Sequence, residues 1–151
     1  MKYNTEITVA LPRDEFIRKL DNPENMKHWQ RGLSGYTLLS GKPGQEGTKM
    51  ELRYDFGKRK MVLVETILKR NLPHEIHASY DAKGVHNIQK NFFTEIDDHN
   101  TRWVSESYFE FSGFFMKLMA FIMPGEFKKQ SQKYADDFKA FAEQGVSVAD
   151  Q

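Results

Sequence analysis

The sequence predicts an α+β protein: a curved antiparallel sheet of about seven strands around one long C-terminal helix, with two short helices after the first strand. Three observations carry this. Large apolar residues recur at helical spacing near the end of the chain, where Phe127, Tyr134, Phe138 and Phe141 follow at steps of seven, four and three. Between residues 33 and 111 apolar residues alternate with a period of two, in runs cut by short turns rich in Gly, Pro and Asn. Pro12 and Asn22-Pro23 are helix starts placed just after the first alternating run.

Residues 2–10 read as a strand with Tyr3, Thr5, Ile7 and Val9 on one face. Pro12 opens a short helix whose inner face carries Phe16, Ile17 and Leu20. A second helix starts at Asn22-Pro23, with Asn22 or Asp21 as its cap, and ends near Trp29. Strands follow over 33–40, 48–56, 60–70, 74–81, 85–96 and 101–111. The run 48–56 alternates most cleanly, with Met50, Leu52, Tyr54 and Phe56 against Lys49, Glu51, Arg53 and Asp55. Most connections are short, so successive strands are expected to be antiparallel neighbours.

The stretch 114–123 is apolar nearly all round, broken only by Lys117 and Ala120, and must be enclosed or touch something apolar. Three roles suit it: a lid over a pocket mouth, plain core, or a contact surface toward a second copy or a membrane. Pro124-Gly125 then breaks or kinks the run. The helix from 127 to 143 would be roughly 25 Å long. Lys129, Lys133, Asp136 and Asp137 lie off its apolar face and are expected in solvent, with Lys133 and Asp137 able to pair one turn apart. Gly145 suits a left-handed cap. Residues 1–145 read as one domain and 146–151 as a flexible tail.

Composition narrows the function classes. A net charge of +1 makes no case for nucleic acid. Cys is 0, which excludes disulfides, thiolate catalysis and Cys-ligated metal. No apolar core of a secretory signal is present, and 114–123 is shorter than the roughly 20 residues a spanning helix needs. A cytoplasmic protein is expected. The 12 Phe, 6 Tyr, 2 Trp and 7 Met supply large and adaptable apolar surfaces, suited either to a core or to a cavity wall.

The order of elements resembles the helix-grip fold of the SRPBCC superfamily. That superfamily holds START lipid-transfer domains, birch-pollen-allergen-like proteins and polyketide cyclase or dehydrase-like proteins. The resemblance rests on Pro12 before a short helix, 21–29 ending in Trp29, and Gly47-Thr48 opening a strand. Leu72-Pro73 between strands, Asn100-Thr101 entering the last strand and the closing helix from Phe127 to Phe141 complete it. It covers nearly the whole chain, and small bacterial cyclase-like or lipid-transport-like members are the most similar. It implies a lipid, sterol, polyketide or other apolar ligand in a cavity under the long helix, with no cofactor. It implies no catalytic residues, because the superfamily shares no catalytic set.

On that frame, inward-facing candidates are Met50, Leu52 and Tyr54; Trp103, Ser105, Ser107 and Phe109; and Met119, Met123 and Phe127. They either line a cavity or pack solidly together. Trp29, Leu63 and Tyr80 join them as candidate ligand contacts. Glu65 is the sharpest single residue, the one charge on a face otherwise made of Met61, Leu63 and Ile67. Facing inward, its carboxyl would be desolvated and could act as general acid or base. Facing outward, it would be solvated or paired with a Lys or Arg of a neighbouring strand. His74 and His77 cannot chelate one ion from a strand, and no His-x-x-x-His pair exists, so no metal is expected. Three functions follow: binding or transport of a small apolar ligand, a cyclase- or dehydratase-like enzyme using Glu65 or a pocket Tyr, or an interaction protein using 114–123.

Overall fold

The computed structural model describes residues 1–150, apart from the Phe115 side chain. The chain runs β1 (Lys2–Val9), α1 (Arg13–Leu20), a 3-10 turn (Pro23–Asn25) and α2 (Met26–Trp29). Then come β2 (Leu33–Ser40), β3 (Lys49–Asp55), β4 (Lys60–Asn71), β5 (Glu75–Ala82), β6 (Val85–Asp97) and β7 (Asn100–Phe111), followed by α3 (Phe114–Ile122) and α4 (Pro124–Gln144). Among the described residues, seven strands form one sheet in the order β1-β7-β6-β5-β4-β3-β2, and every neighbouring pair is antiparallel. The expected α+β helix-grip architecture is what the chain adopts.

The two short helices have a topological task. β1 and β2 are consecutive strands on opposite edges of the sheet, so α1 and α2 carry the chain from one edge to the other. Asn22 caps the turn before α2 by accepting a hydrogen bond from the Glu24 amide at 3.0 Å. Arg70 of β4 donates twice to the Asp21 carboxylate, at 2.9 and 2.7 Å, and once to the Gly44 carbonyl at 3.0 Å. This fork ties the end of α1 to the sheet and to the β2–β3 loop. Register shifts within β2–β3, β4–β5 and β6–β7 bend the strands.

α4 lies along β1 and covers its free edge. Gln132 donates to the Glu6 carbonyl at 3.3 Å, Lys139 to the Thr8 carbonyl at 2.6 Å, and the Ala10 amide donates to Glu143 at 2.7 Å. Backbone groups that would otherwise offer a template for strand addition are thereby satisfied. The C-terminal half of α4 sits on an aromatic cluster. Phe138 is fully buried, with ring centroids 5.0 Å from Phe16, 5.6 Å from Trp103 and 5.4 Å from Trp29. At the other end, Phe127 packs 5.3 Å from both Phe109 and Phe111. The Tyr3 hydroxyl pins that end, donating to the Phe127 carbonyl at 3.1 Å and sharing a 2.6 Å hydrogen bond with Ser131.

Pro124 breaks the apolar run as expected: it occupies the first turn of a separate helix, after Met123 leaves helical geometry at φ −127° and ψ 51°. Two sequence expectations need correction. Asp137 is not a solvated partner of Lys133. It is half-buried and pairs with Arg31 at 3.5 Å, because its side of α4 faces the α2–β2 connection. Residues 146–150 are not a loose tail. Ser147 is buried and bonds the His28 ring at 2.8 Å, while Gly145 takes a left-handed φ of 69° that turns the chain back. Gln151, the end of that expected tail, lies outside the described residues.

Truncating Phe138 to Ala removes the ring on which Phe16, Trp29 and Trp103 converge. The substitution is expected to cost about 3–5 kcal/mol in urea denaturation, whereas Phe121→Ser on the solvent side of α3 should stay within about 0.5 kcal/mol.

Candidate functional site

The antiparallel registers arrange inward side chains in rows across the sheet. One row runs Met50, Glu65, Tyr80, Asn87, Phe109 over β3, β4, β5, β6 and β7. The next runs Ile67, Ala78, Gln89, Ser107, Tyr3, and a third Ile76, Asn91, Ser105, Thr5. A fourth, Phe93, Trp103, Ile7, closes the far end with large apolar groups. The middle rows are rich in small side chains, and opposite them α4 presents Ser131 and Ala135. Nothing there is large enough to fill the space between sheet and helix. A cavity of about 1110 Å³ results, walled mainly by Met, aromatic and aliphatic side chains.

Two groups of polar side chains on its wall are linked by hydrogen bonds. Glu65 and Tyr80 face each other across β4 and β5, and the Tyr80 hydroxyl donates to the Glu65 carboxylate. Burial pushes the Glu65 carboxyl above the usual carboxylate range, and the Tyr80 hydrogen bond opposes this less strongly. Burial likewise raises the Tyr80 hydroxyl well above an ordinary phenol, and the Glu65 charge adds to it. Tyr54 is raised by burial, then by Tyr134 and Glu65, and its hydroxyl donates to Gln30 at 2.5 Å. Both phenols, Tyr54 and Tyr80, are therefore neutral at physiological pH.

A second polar group lies on β6. The Trp103 indole donates to the Asn91 side chain at 3.0 Å, Asn87 donates to the Tyr108 carbonyl at 2.9 Å, and Gln89 donates to Asn87 at 3.1 Å. These bonds hold the amides in place while leaving them on the cavity wall.

Phe56, Arg59, Met123 and Glu126 line the cavity and are themselves exposed, so they mark its mouth. Met116 and Met119 of α3 line it beside them. α3 is held over the mouth by its entry: the Ser112 amide bonds the Gly84 carbonyl at 2.9 Å, and a Cβ on Gly84 would approach Met116 Cγ to 2.9 Å.

The sequence-based candidates fall as follows. Met50, Tyr54, Leu63, Glu65 and Tyr80 lie on the cavity wall contributed by β3, β4 and β5. Trp103, Ser105 and Phe109 lie on β7, Trp29 at the end of α2, and Met119, Met123 and Phe127 on the helical side. Leu52 is a correction. It shares the face of Met50 and Tyr54 but is fully buried in a cluster with Met26, so it is core rather than wall. Ser107 is also buried and absent from the wall. Of the two readings of Glu65, inward and outward, its register and neighbours place it inward.

Sequence reasoning missed Asn87, Gln89 and Asn91, and gave no site role to Tyr3, Thr5, Gln30, Gln130, Ser131 or Tyr134, all on the wall. On β6 the signal misleads. The inward face reads Asn87, Gln89, Asn91, while Ile88 and Phe92 take the other face, so hydrophobicity alone inverts the strand. Among the described residues, no group of three or more His, Asp or Glu side chains converges as a metal site would require.

The architecture is that of a hollow α+β protein gripping one long helix. No protein-family model matches the chain, and no curated protein matches it in sequence. Solved structures do match. An aromatase/cyclase from Streptomyces superposes with a TM-score of 0.76 at 13% identity, covering 94% of this chain and 93% of that one. Ara h 8.0201 gives 0.72 at 12%, covering 94% and 97%. Norcoclaurine synthase from Thalictrum flavum gives 0.70 at 11%, covering 94% and 93%. The chain has the SRPBCC, or helix-grip, fold.

The folded state holds the Glu65 proton more tightly than the unfolded chain does. Stability from this group is full below the unfolded carboxylate pKa and is lost as pH rises through the folded one. Glu65→Gln should therefore match the parent at acid pH and exceed it above, the gap opening by at most about 1.4 kcal/mol per pH unit. Urea midpoints across the pH range check this; parallel curves for the two proteins would refute it.

Proposed function

We propose that this protein binds and carries a small apolar molecule whose one polar end sits at Glu65, Tyr80 and Asn87. The observation that carries this is the hollow of about 1110 Å³, walled mainly by apolar side chains, with the buried Glu65–Tyr80 pair on its wall. Filled with water at about 30 Å³ each, such a space would hold on the order of 35 molecules, most of them against apolar walls. A ligand that displaces them gains roughly 2.5 kcal/mol for each 100 Å² of apolar surface removed from water. The Tyr54 and Tyr80 hydroxyl protons are engaged by Gln30 and Glu65, so toward a ligand their oxygens accept, as do the Glu65 carboxyl and the β6 amide oxygens. A hydroxyl on the ligand fits that set. This is a binding or transport role, with the walls supplying affinity and the row through Glu65 supplying orientation.

One observation favours a second reading. Glu65 is a carboxyl held toward its neutral form beside a phenol, inside an apolar space, which suits a group that gives or takes a proton. An aromatase/cyclase and a synthase among the similar structures are consistent with chemistry in such a cavity. Under this reading Glu65 would donate a proton to, or take one from, a bound polyketide-like substrate.

Thermal denaturation against fatty acids, sterols and aromatic polyketides tests binding. A true ligand at a hundredfold excess over its Kd adds about 2.7 kcal/mol of stability. Ala78→Trp, which drives an indole into the cavity, should abolish the shift. Silence across the whole library would overturn the binding reading. If a bound compound is also converted, Glu65→Gln should retain its thermal shift and lose the conversion; conversion at the parent rate would remove Glu65 from the chemistry.

A further inference from the structure

α3 presents two apolar faces, and only one is used by the cavity. Met116 and Met119, with Met123 just after the helix, turn toward the interior. Phe114, Leu118, Phe121 and Ile122, spaced as one helical face, turn outward. Phe114 and Phe121 keep 82% and 84% of their surface exposed, Ile122 61% and Leu118 40%. Side chains this large on one short helix form a patch rather than scattered exposures.

The rim of the patch is basic. Lys117 lies on α3 itself, Lys128 and Lys129 on the first turns of α4, and Lys83 in the β5–β6 turn. Lys58, Arg59 and Lys60 form the β3–β4 turn at the cavity mouth. All of them are exposed. The acidic groups at this end are fewer: Asp55, Asp81, Glu110 and Glu126. Asp81 is paired with His86, and Glu126 with Lys129 at 3.6 Å. The whole chain carries only +1, so positive charge is concentrated where the exposed apolar helix is.

We propose that α3 docks this protein on an anionic lipid surface, its Phe114–Phe121 face inserted among the acyl chains and the surrounding lysines on the headgroups. A second copy is the less suited occupant, because two such rims would oppose like charge to like charge. A lipid surface with anionic headgroups meets both features at once. α3 is about 13 Å long, so it lies in the interface rather than crossing it; no helix among the described residues is long and apolar enough to span a bilayer. Docked this way, the exposed mouth residues Phe56 and Arg59 lie at the membrane boundary, with Met116 and Met119 behind α3 on the cavity side. An apolar molecule could pass between bilayer and cavity without crossing water.

Co-sedimentation of the full chain with vesicles of equal parts phosphatidylcholine and phosphatidylglycerol tests this. The parent should bind them, bind pure phosphatidylcholine vesicles far less, and release as salt is raised. Phe114→Ser with Phe121→Ser should weaken binding roughly tenfold or more while leaving Tm unchanged. Ala78→Trp, with the cavity filled, should bind vesicles like the parent, so failure of the cavity reading and failure of this one are told apart. No binding to the anionic vesicles, or equal binding by the double Ser variant, overturns the proposal. So does a dimer, seen by sedimentation velocity without lipid, that the same double variant dissolves.

Discussion

α4 rests on the β1 edge along one side and, facing the sheet, on an aromatic cluster at each end, and the rest of the structure depends on this. Phe138 rests on Phe16, Trp29 and Trp103 at one end, and Phe127 rests on Phe109 and Phe111 at the other. Eleven residues of helix, about 16 Å, separate the two supports. Aromatic pairs contribute beyond their buried area, so each cluster is a strong local clamp. A straight rod clamped at both rims of a bent sheet cannot also touch the centre. The small residues of the central rows, Ala78, Ser105 and Ser107, do not rise to meet it.

The hollow has a thermodynamic cost that the fold distributes. Core atoms facing an open cavity lose packing partners. Two polar pairs on its wall, Trp103–Asn91 and Asn87–Tyr108, are hydrogen-bonded without being covered, while the Trp29 indole N–H is buried without a partner among the described residues. Glu65 is the exception in kind, since its charged form is penalised by the same enclosure that shapes the cavity. Such a conflict between stability and local chemistry is characteristic of sites that handle a ligand. The compensation lies elsewhere: in the two aromatic clamps, in the covered β1 edge and in the Arg70–Asp21 fork.

α3 shows how one short segment can satisfy incompatible readings. From its sequence it could be lid, core or contact surface, because apolarity all round carries no direction. In the fold it divides: its methionines turn inward to the cavity, and Phe114, Leu118, Phe121 and Ile122 turn outward. Gly113, at a positive φ of 84°, lets the chain leave β7 and place the helix over the mouth.

The architecture was legible in the sequence because it is written in local periods. Alternation in 48–56 and the steps from Phe127 to Phe141 each report one element's own geometry, and short turns leave antiparallel pairing as the simple outcome. Much of the candidate site was legible for the same reason: once β3 and β7 are assigned, parity groups Met50 with Tyr54 and Trp103 with Phe109, whereas the facing of Glu65 is fixed only by its register with Met50 and Tyr80. What only the tertiary structure decided is which inward residues meet empty space and which meet each other. Leu52 and Met50 have the same parity and share a cluster with Met26, yet Met50 reaches the cavity wall and Leu52 does not. Asn87, Gln89 and Asn91 point inward although hydrophobicity would turn them out, because β6 takes its facing from pairing with β5 and β7. Periodicity is a property of one strand, whereas a cavity is a property of the distance between a bent sheet and a straight helix, which no single stretch of chain contains.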